Sequence, residues 1–453
     1  MTKNENREFY RILRRTSLPI VLQSLMLALV AAADALMLGQ ISEEQMAAVS
    51  LATQVQFVQN MFITAVTAAG SILGAQYWGK GDKETLRRLF NLMLCVNGLV
   101  SLAFFCACEF LPGHLMMIFT GEEDLIRIGA SYLRIAGWSY LLTGISQCCL
   151  AIMKVTDHVR PCAVISSSAV VLNILLNSIL IFGLLGAPAM NAEGAALATT
   201  ISRAVELLFS VLFLCGKDRL RPAFKRFFRI DRRLVLDFFK QCLPLTGSSL
   251  LWGVGFTSYT AIIGHLGVDA AAANSVSAVV RDLICCACNG VGGAAAIIVG
   301  NELGSGNLAL GKAYGVKLTK LSFVIGFAST GVVLAVTPIV LHTVVLTENA
   351  RDLLFGMMLI MSFYMIGRCV NTVTINGVLA GGGDTVFDLY SLAIVMWGVA
   401  IPLALLGAFV FKWHVLAVYA CTCLDEVGKI PWVMLRVRRF KWVKNLTRNR
   451  ISE

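Results

Sequence analysis

Apolar stretches long enough to cross a bilayer as helices run near 16 to 38, 46 to 74, 89 to 111, 130 to 153, 161 to 185 and 193 to 215. Six more follow near 241 to 264, 272 to 300, 315 to 341, 355 to 380, 389 to 411 and 414 to 435. A crossing takes about 20 apolar residues, and helices or closed barrels alone satisfy their own backbone hydrogen bonds in lipid. Charge agrees with hydropathy, because Asp, Glu, Lys and Arg make up 14% of the 453 residues, against about 25% in a soluble domain. A water-soluble globule of this length could not cover itself with so few charges. The sequence therefore predicts an all-α membrane protein of about twelve helices. A charged region, short apolar run and small-residue cleavage site do not occur in that order at the N-terminus, so the first stretch reads as a retained span rather than a signal peptide.

Basic residues outnumber acidic ones by 38 to 27, and they are placed on one side. Arg7, Arg11, Arg14 and Arg15 precede the first stretch, and Lys80, Lys83, Arg87 and Arg88 follow the second. Lys154 and Arg160 follow the fourth, a run from Lys217 to Lys240 follows the sixth, and another from Arg436 to Arg450 closes the chain. The intervening loops hold Arg127, Arg351 and Lys412 beside Glu43, Glu44, Glu122, Glu123 and Asp124. Excess Lys and Arg mark the cytoplasmic side, so the expectation is a multi-pass protein of the cell membrane with both termini inside. Topology accounts for the positive charge. Nucleic acid, which needs a basic face on a folded soluble module, is not an expected partner.

The chain also repeats itself at a constant offset of 225 residues. Leu18-Pro19 aligns with Leu243-Pro244, Gly39 with Gly264, Ala47-Ala48 with Ala272-Ala273, and Ser50 with Ser275. Gly79, Gly81 and Asp82 align with Gly304, Gly306 and Asn307, and Met153 to Asp157 more loosely with Ala380 to Asp384. The predicted organisation is a first lobe 1–216, a basic cytoplasmic linker 217–240, a second lobe 241–435 and a basic cytoplasmic tail 436–453. The linker reads as an amphipathic stretch held partly by anionic lipid. Six spans separate equivalent points, so the two copies share one orientation. Parallel repeats of this kind are found in secondary transporters, with the substrate site between them.

Other motifs carry no chemistry. Gly74 to Lys80 imitates a phosphate-binding loop, but Gly81 stands where Ser or Thr is needed and the segment ends an apolar helix. Its partner copy, Val299 to Gly304, has lost the lysine, and both read as glycine-rich helix ends. The fourteen cysteines fall inside or at the ends of the apolar stretches, where Cys285 and Cys288 read as packing residues. The five histidines sit singly, without metal spacing, and no hydrolase motif is present. No enzyme activity and no cofactor are expected.

Ionisable groups at membrane depth cost at least about 2.5 to 3.5 kcal/mol each and mark functional positions. Asp34 stands alone in Ala31-Ala-Ala-Asp-Ala-Leu, roughly 28 Å along its helix at about 1.5 Å per residue. Asn173 and Asn177, four apart on one helix face, and Thr199 come to a similar depth by the same rise. One acid and three neutral oxygen donors suit a proton or a small hard cation: burial favours the protonated carboxyl and a bound Na⁺ the carboxylate. Gln56, Gln59 and Asn60 are expected to line a water-filled cavity. In the second half position 34 maps onto Tyr259, and Arg281, Asp282, Arg368 and Asn371 stand as a cavity-lining set or a salt-bridge network. Arg203 and Glu206 form a further pair.

The ordered run Leu18-Pro19, Asp34, Gly39, Ala47-Ala48 and Gly79-Lys-Gly-Asp82, with Val299 to Gly306, resembles the multidrug and toxic compound extrusion family. Asn173, Asn177, Gly194 to Thr200 and Gly381 to Thr385 extend the likeness over the whole chain. The resemblance implies two six-helix lobes in a V-shaped bundle, a bend at Pro19, and export of amphipathic, often cationic compounds by H⁺ or Na⁺ antiport. Members of the DNA-damage-inducible branch join a first-helix Asp, an Asn and an Asp of the fifth helix and a sixth-helix Thr. Those positions match Asp34, Asn173, Asn177 and Thr199, with Asn177 in place of the second acid. These four form the expected coupling site for H⁺ or Na⁺. The expected partners are a small organic substrate and membrane lipid, with the chain acting as a monomer. A flippase for a lipid-linked precursor, or an exporter of an anionic metabolite, is the alternative on the same fold, suited by Arg281 and Arg368.

Overall fold

The computed structural model describes residues 3–39, 42–186, 188–216, 219–220 and 231–448, with backbone alone at 31–36 and 38–39. Among them there is no strand. The long helices are α1 (Lys3–Gly39), α2 (Glu43–Gly79), α3 (Lys83–Phe110), α4 (Glu123–Val155), α5 (Val159–Phe182) and α6 (Asn191–Leu214). The second series is α7 (Arg232–Gly264), α8 (Val268–Gly304), α9 (Leu308–Thr343), α10 (Glu348–Leu379), α11 (Val386–Val410) and α12, in two pieces (Val415–Val427 and Ile430–Arg438). The all-α membrane architecture expected from hydropathy is the one observed.

Most helices overrun their apolar stretches by a turn or more, because caps end a helix and hydropathy does not. Ten of the described helices are long and apolar enough to span a membrane. The Ser- and Thr-containing α7 and the divided α12 are not among them. Pro431 sits in the first turn of α12's second piece and has no N–H to bond back across Gly428. α10 loosens into an i→i+5 register over Thr372–Leu379, and α11 does so over Ala393–Ala400 and Leu406–Val410.

The repeat is visible in local geometry. Pro19 lies inside α1 and Pro244 inside α7, each removing one backbone donor. Gly81 (φ +80°) and Gly306 (φ +87°) make the left-handed turns that follow α2 and α8. Asp82 then accepts from the Thr85 N–H at 3.1 Å to cap α3, and Asn307 from the Leu310 N–H at 3.4 Å to cap α9. Gly79 and Gly304 serve a close crossing. A Cβ on Gly79 would lie 2.0 Å from the Asn301 carbonyl oxygen, and one on Gly304 would lie 2.0 Å from that of Gln76. The apparent phosphate loop is therefore a helix crossing, a turn and a cap.

The chain divides into two compact units. One comprises Leu22–Gly74 and Asp82–Cys242, around a core that includes Val49, Tyr132, Leu133, Ala136 and Tyr140. The other comprises Met1–Val21, Ala75–Gly81 and Leu243–Glu453, with a core rich in methionine: Met357, Met358, Met361 and Met365. The division falls inside α1, two residues beyond Pro19. In the second unit the end of the chain folds back. Trp442 is fully buried, and its carbonyl lies where a Cβ on Gly382 would stand. The Leu446 N–H donates to Gln76 Oε1 at 2.6 Å, and Gln76 Nε2 donates to the carbonyls of Gly381 and Lys444 at 2.9 and 3.3 Å. Arg436 holds Asp384 with two hydrogen bonds of 2.6 and 2.8 Å.

Candidate functional site

The hairpin of α5 and α6 closes tightly because Gly183 ends α5 in a left-handed turn (φ 72°) and Gly194 lets α6 lie against the backbone of Leu180. A Cβ at 194 would meet the Leu180 carbonyl oxygen at 2.7 Å. Two turns deeper the hairpin brings three of the expected coupling residues into one chain of hydrogen bonds. Asn177 Nδ2 donates to Asn173 Oδ1 at 3.3 Å, Asn173 Nδ2 donates to Thr199 Oγ1 at 3.2 Å, and Thr199 Oγ1 donates to the Ala195 carbonyl at 3.0 Å. Both asparagines are buried. The fourth member of the predicted set, Asp34, lies outside the residues whose side chains are described.

Asn173 and Thr199 stand on the wall of a cavity of about 360 Å³ inside the first unit. Leu27 and Val30 of α1 and Val49 and Tyr132 supply apolar wall. Thr53, Gln56 and Asn60 form a polar stripe of α2 at helical spacing. Gln59, expected beside them, is turned away. It is fully buried and donates to the Tyr140 carbonyl at 2.9 Å and to Ser101 at 3.4 Å, tying α2 to α4 and α3.

Arg203 of α6 also reaches the cavity. Its Nη1 donates to Glu206 Oε2 at 2.9 Å, and Ser146 of α4 donates to the same oxygen at 3.1 Å. The carboxylate side chain is 1% exposed and the guanidinium side chain 22%. The acid is thus held behind the wall while the base lies in it.

In the second unit the polar residues form ion pairs. Arg281 pairs with its neighbour Asp282 at 3.0 Å and lies 4.6 Å from the Phe256 ring centroid. Arg368 Nη1 donates to Glu426 Oε1 at 2.7 Å, and Asn371 Nδ2 donates to both Glu426 Oε2 and the Glu426 carbonyl at 2.7 Å. Gly367 lets α10 come this close to α12, since a Cβ there would meet the Glu426 backbone at 2.8 Å. Asp425, Glu426 and Lys429, each at most 4% exposed, were not singled out by sequence, although they interrupt the twelfth apolar stretch. The thiol of Cys288 donates back to the Cys285 carbonyl at 3.1 Å, as a packing residue would. Among the described residues no group of His, Cys, Asp and Glu is placed to hold a metal ion.

The family model described as MatE matches residues 19–179 and again 244–406. The two matches start at the offset of the internal repeat. The transporter YisQ of Bacillus subtilis is 22% identical over 94% of this chain and 93% of its own. A protein named for multidrug resistance, NorM of Bradyrhizobium diazoefficiens, is 26% identical over 89% of this chain and 87% of its own. Among solved structures, a mutant of the Vibrio cholerae MATE transporter VcmN superposes with a TM-score of 0.90, covering 98% of this chain and 99% of that one at 14% identity.

Proposed function

Because the chain belongs to the MatE family of transporters, matched in both of its repeats, we propose that it is a secondary active exporter of amphipathic organic compounds, cations among them, driven by antiport of H⁺ or Na⁺. The carrying observation is the hydrogen-bonded run Asn177–Asn173–Thr199, which opens onto a cavity inside one unit. Position 34 follows Leu27 and Val30 at the helical spacing that brings those two residues to the cavity wall. On this reading the Asp34 carboxyl takes up one proton or one monovalent cation, with neutral oxygen donors completing the coordination. Uptake from the outside discharges substrate, and release to the cytoplasm resets the carrier. α1 is suited to relay the change, because Pro19 weakens it two residues before the division between the units. Both termini lie in the cytoplasm on this reading.

Export from liposomes under separate H⁺ and Na⁺ gradients tests it. Asp34→Asn should lose gradient-driven export, by a factor of a hundred or more, with an unchanged melting temperature in detergent. Export at the wild-type rate by that variant would overturn the assignment.

A further inference from the structure

We propose that Arg203 anchors an anionic group of the substrate, so that the cavity selects amphipathic compounds carrying a carboxylate, sulfonate or phosphonate at one end. The inference rests on the export reading above and deepens it.

Arg203 is the one arginine in the cavity's described lining. A guanidinium carries five N–H donors in a planar fork that matches the two oxygens of such an anion. Arg203 spends Nη1 on Glu206, and among the described residues the side chain makes no other hydrogen bond. An uncompensated arginine at membrane depth is costly. One that must meet a ligand's charge therefore needs an acid behind it. Glu206 is that acid, fixed from the far side by Ser146 and almost wholly out of contact with solvent. Glu206 takes up one edge of the fork at 2.9 Å, and the other edge is left for an occupant of the cavity.

The rest of the wall fits the same class of compound. The amides of Gln56 and Asn60 have no hydrogen-bond partner among the described residues and add N–H donors on α2. Leu27, Val30, Val49 and Tyr132 offer an apolar surface to the body of the molecule.

The test uses the full-length protein in liposomes with three probes built on one aromatic apolar body: a carboxylate, its methyl ester and a quaternary ammonium analogue. Wild type should favour the carboxylate over the ester by tenfold or more in kcat/KM. Arg203→Gln alone would leave Glu206 buried and unpaired, so Arg203→Gln is combined with Glu206→Gln. The double variant should lose the carboxylate preference at least tenfold. Arg203→Lys, which keeps the ion pair but loses the fork, should fall between. Binding of the carboxylate probe to detergent-solubilised protein gives a readout independent of turnover and should weaken in the same order. Equal handling of carboxylate and ester by wild type, or a preference that survives in the double variant, overturns the inference. Transport of the ester and the cation without the carboxylate sinks it while leaving the export reading intact. Transport of none of the three under either gradient sinks both.

Discussion

Glu426 is 4% exposed, yet it accepts from Arg368 and Asn371 at 2.7 Å and supports the polar centre of the second unit. Removing one partner of a buried pair leaves the other charge uncompensated, at about 3–5 kcal/mol. Glu426→Ala should therefore melt several degrees lower in detergent, and Glu426→Gln less so, because it keeps the acceptor for Asn371. Equal melting of Glu426→Ala and wild type would remove the structural role. Arg368 and Asn371 were visible in the sequence as polar intruders in an apolar stretch, but their partner was not. Asp425, Glu426 and Lys429 stand a few residues ahead of the basic tail, and hydropathy does not separate a buried charge from one that has reached water. Gln59 shows the same blindness on a smaller scale. It shares a polar arc with Gln56 and Asn60, and only its neighbours on α3 and α4 decide that it faces protein. Asn173 and Asn177 were legible because a spacing of four puts two amides on one face whatever packs against them.

At the scale of elements, two glycines of one motif do different work, and substitution should separate them. Gly79 has the Asn301 carbonyl where a side chain would go, whereas Gly81 has open space and a left-handed backbone. Gly79→Ala must push α2 and α8 apart, so a large drop in melting temperature and loss of transport are expected. Gly81→Ala pays conformational strain alone, about 1–2 kcal/mol, and should still transport. A milder effect at 79 than at 81, read by melting and export together, would contradict the crossing. Helix number and order were legible because each span must carry about 20 apolar residues. The break in α12 and the loosened turns of α10 and α11 were not, since they depend on which backbone groups find partners across helices.

For the whole molecule, the described part of the tail, 436–448, is an integral part of the second unit. Sequence reads 436–453 by its charge, as a cytoplasmic appendage, while the structure buries Trp442 and hydrogen-bonds Leu446 to Gln76. Trp442→Ala should cost about 3–5 kcal/mol, as loss of a buried tryptophan does. Lys441→Gln with Lys444→Gln, which removes charge and keeps the contacts, should leave melting unchanged. The reverse pattern would return the tail to a purely electrostatic role. The crossing beneath it has a further consequence for ancestry. Position 79 faces 301 and 304 faces 76, so exchanging the two repeats maps the contact onto itself. A chain of half this length could have met a second copy of itself through the same four residues, and joining the two genes would have required no new interface there. In the fused chain the two equivalent positions are finished differently: Gln76 accepts from the Leu446 N–H, whereas the side-chain oxygen of Asn301 is buried without a hydrogen bond among the described residues. At this crossing the tail is what makes two otherwise equivalent positions differ.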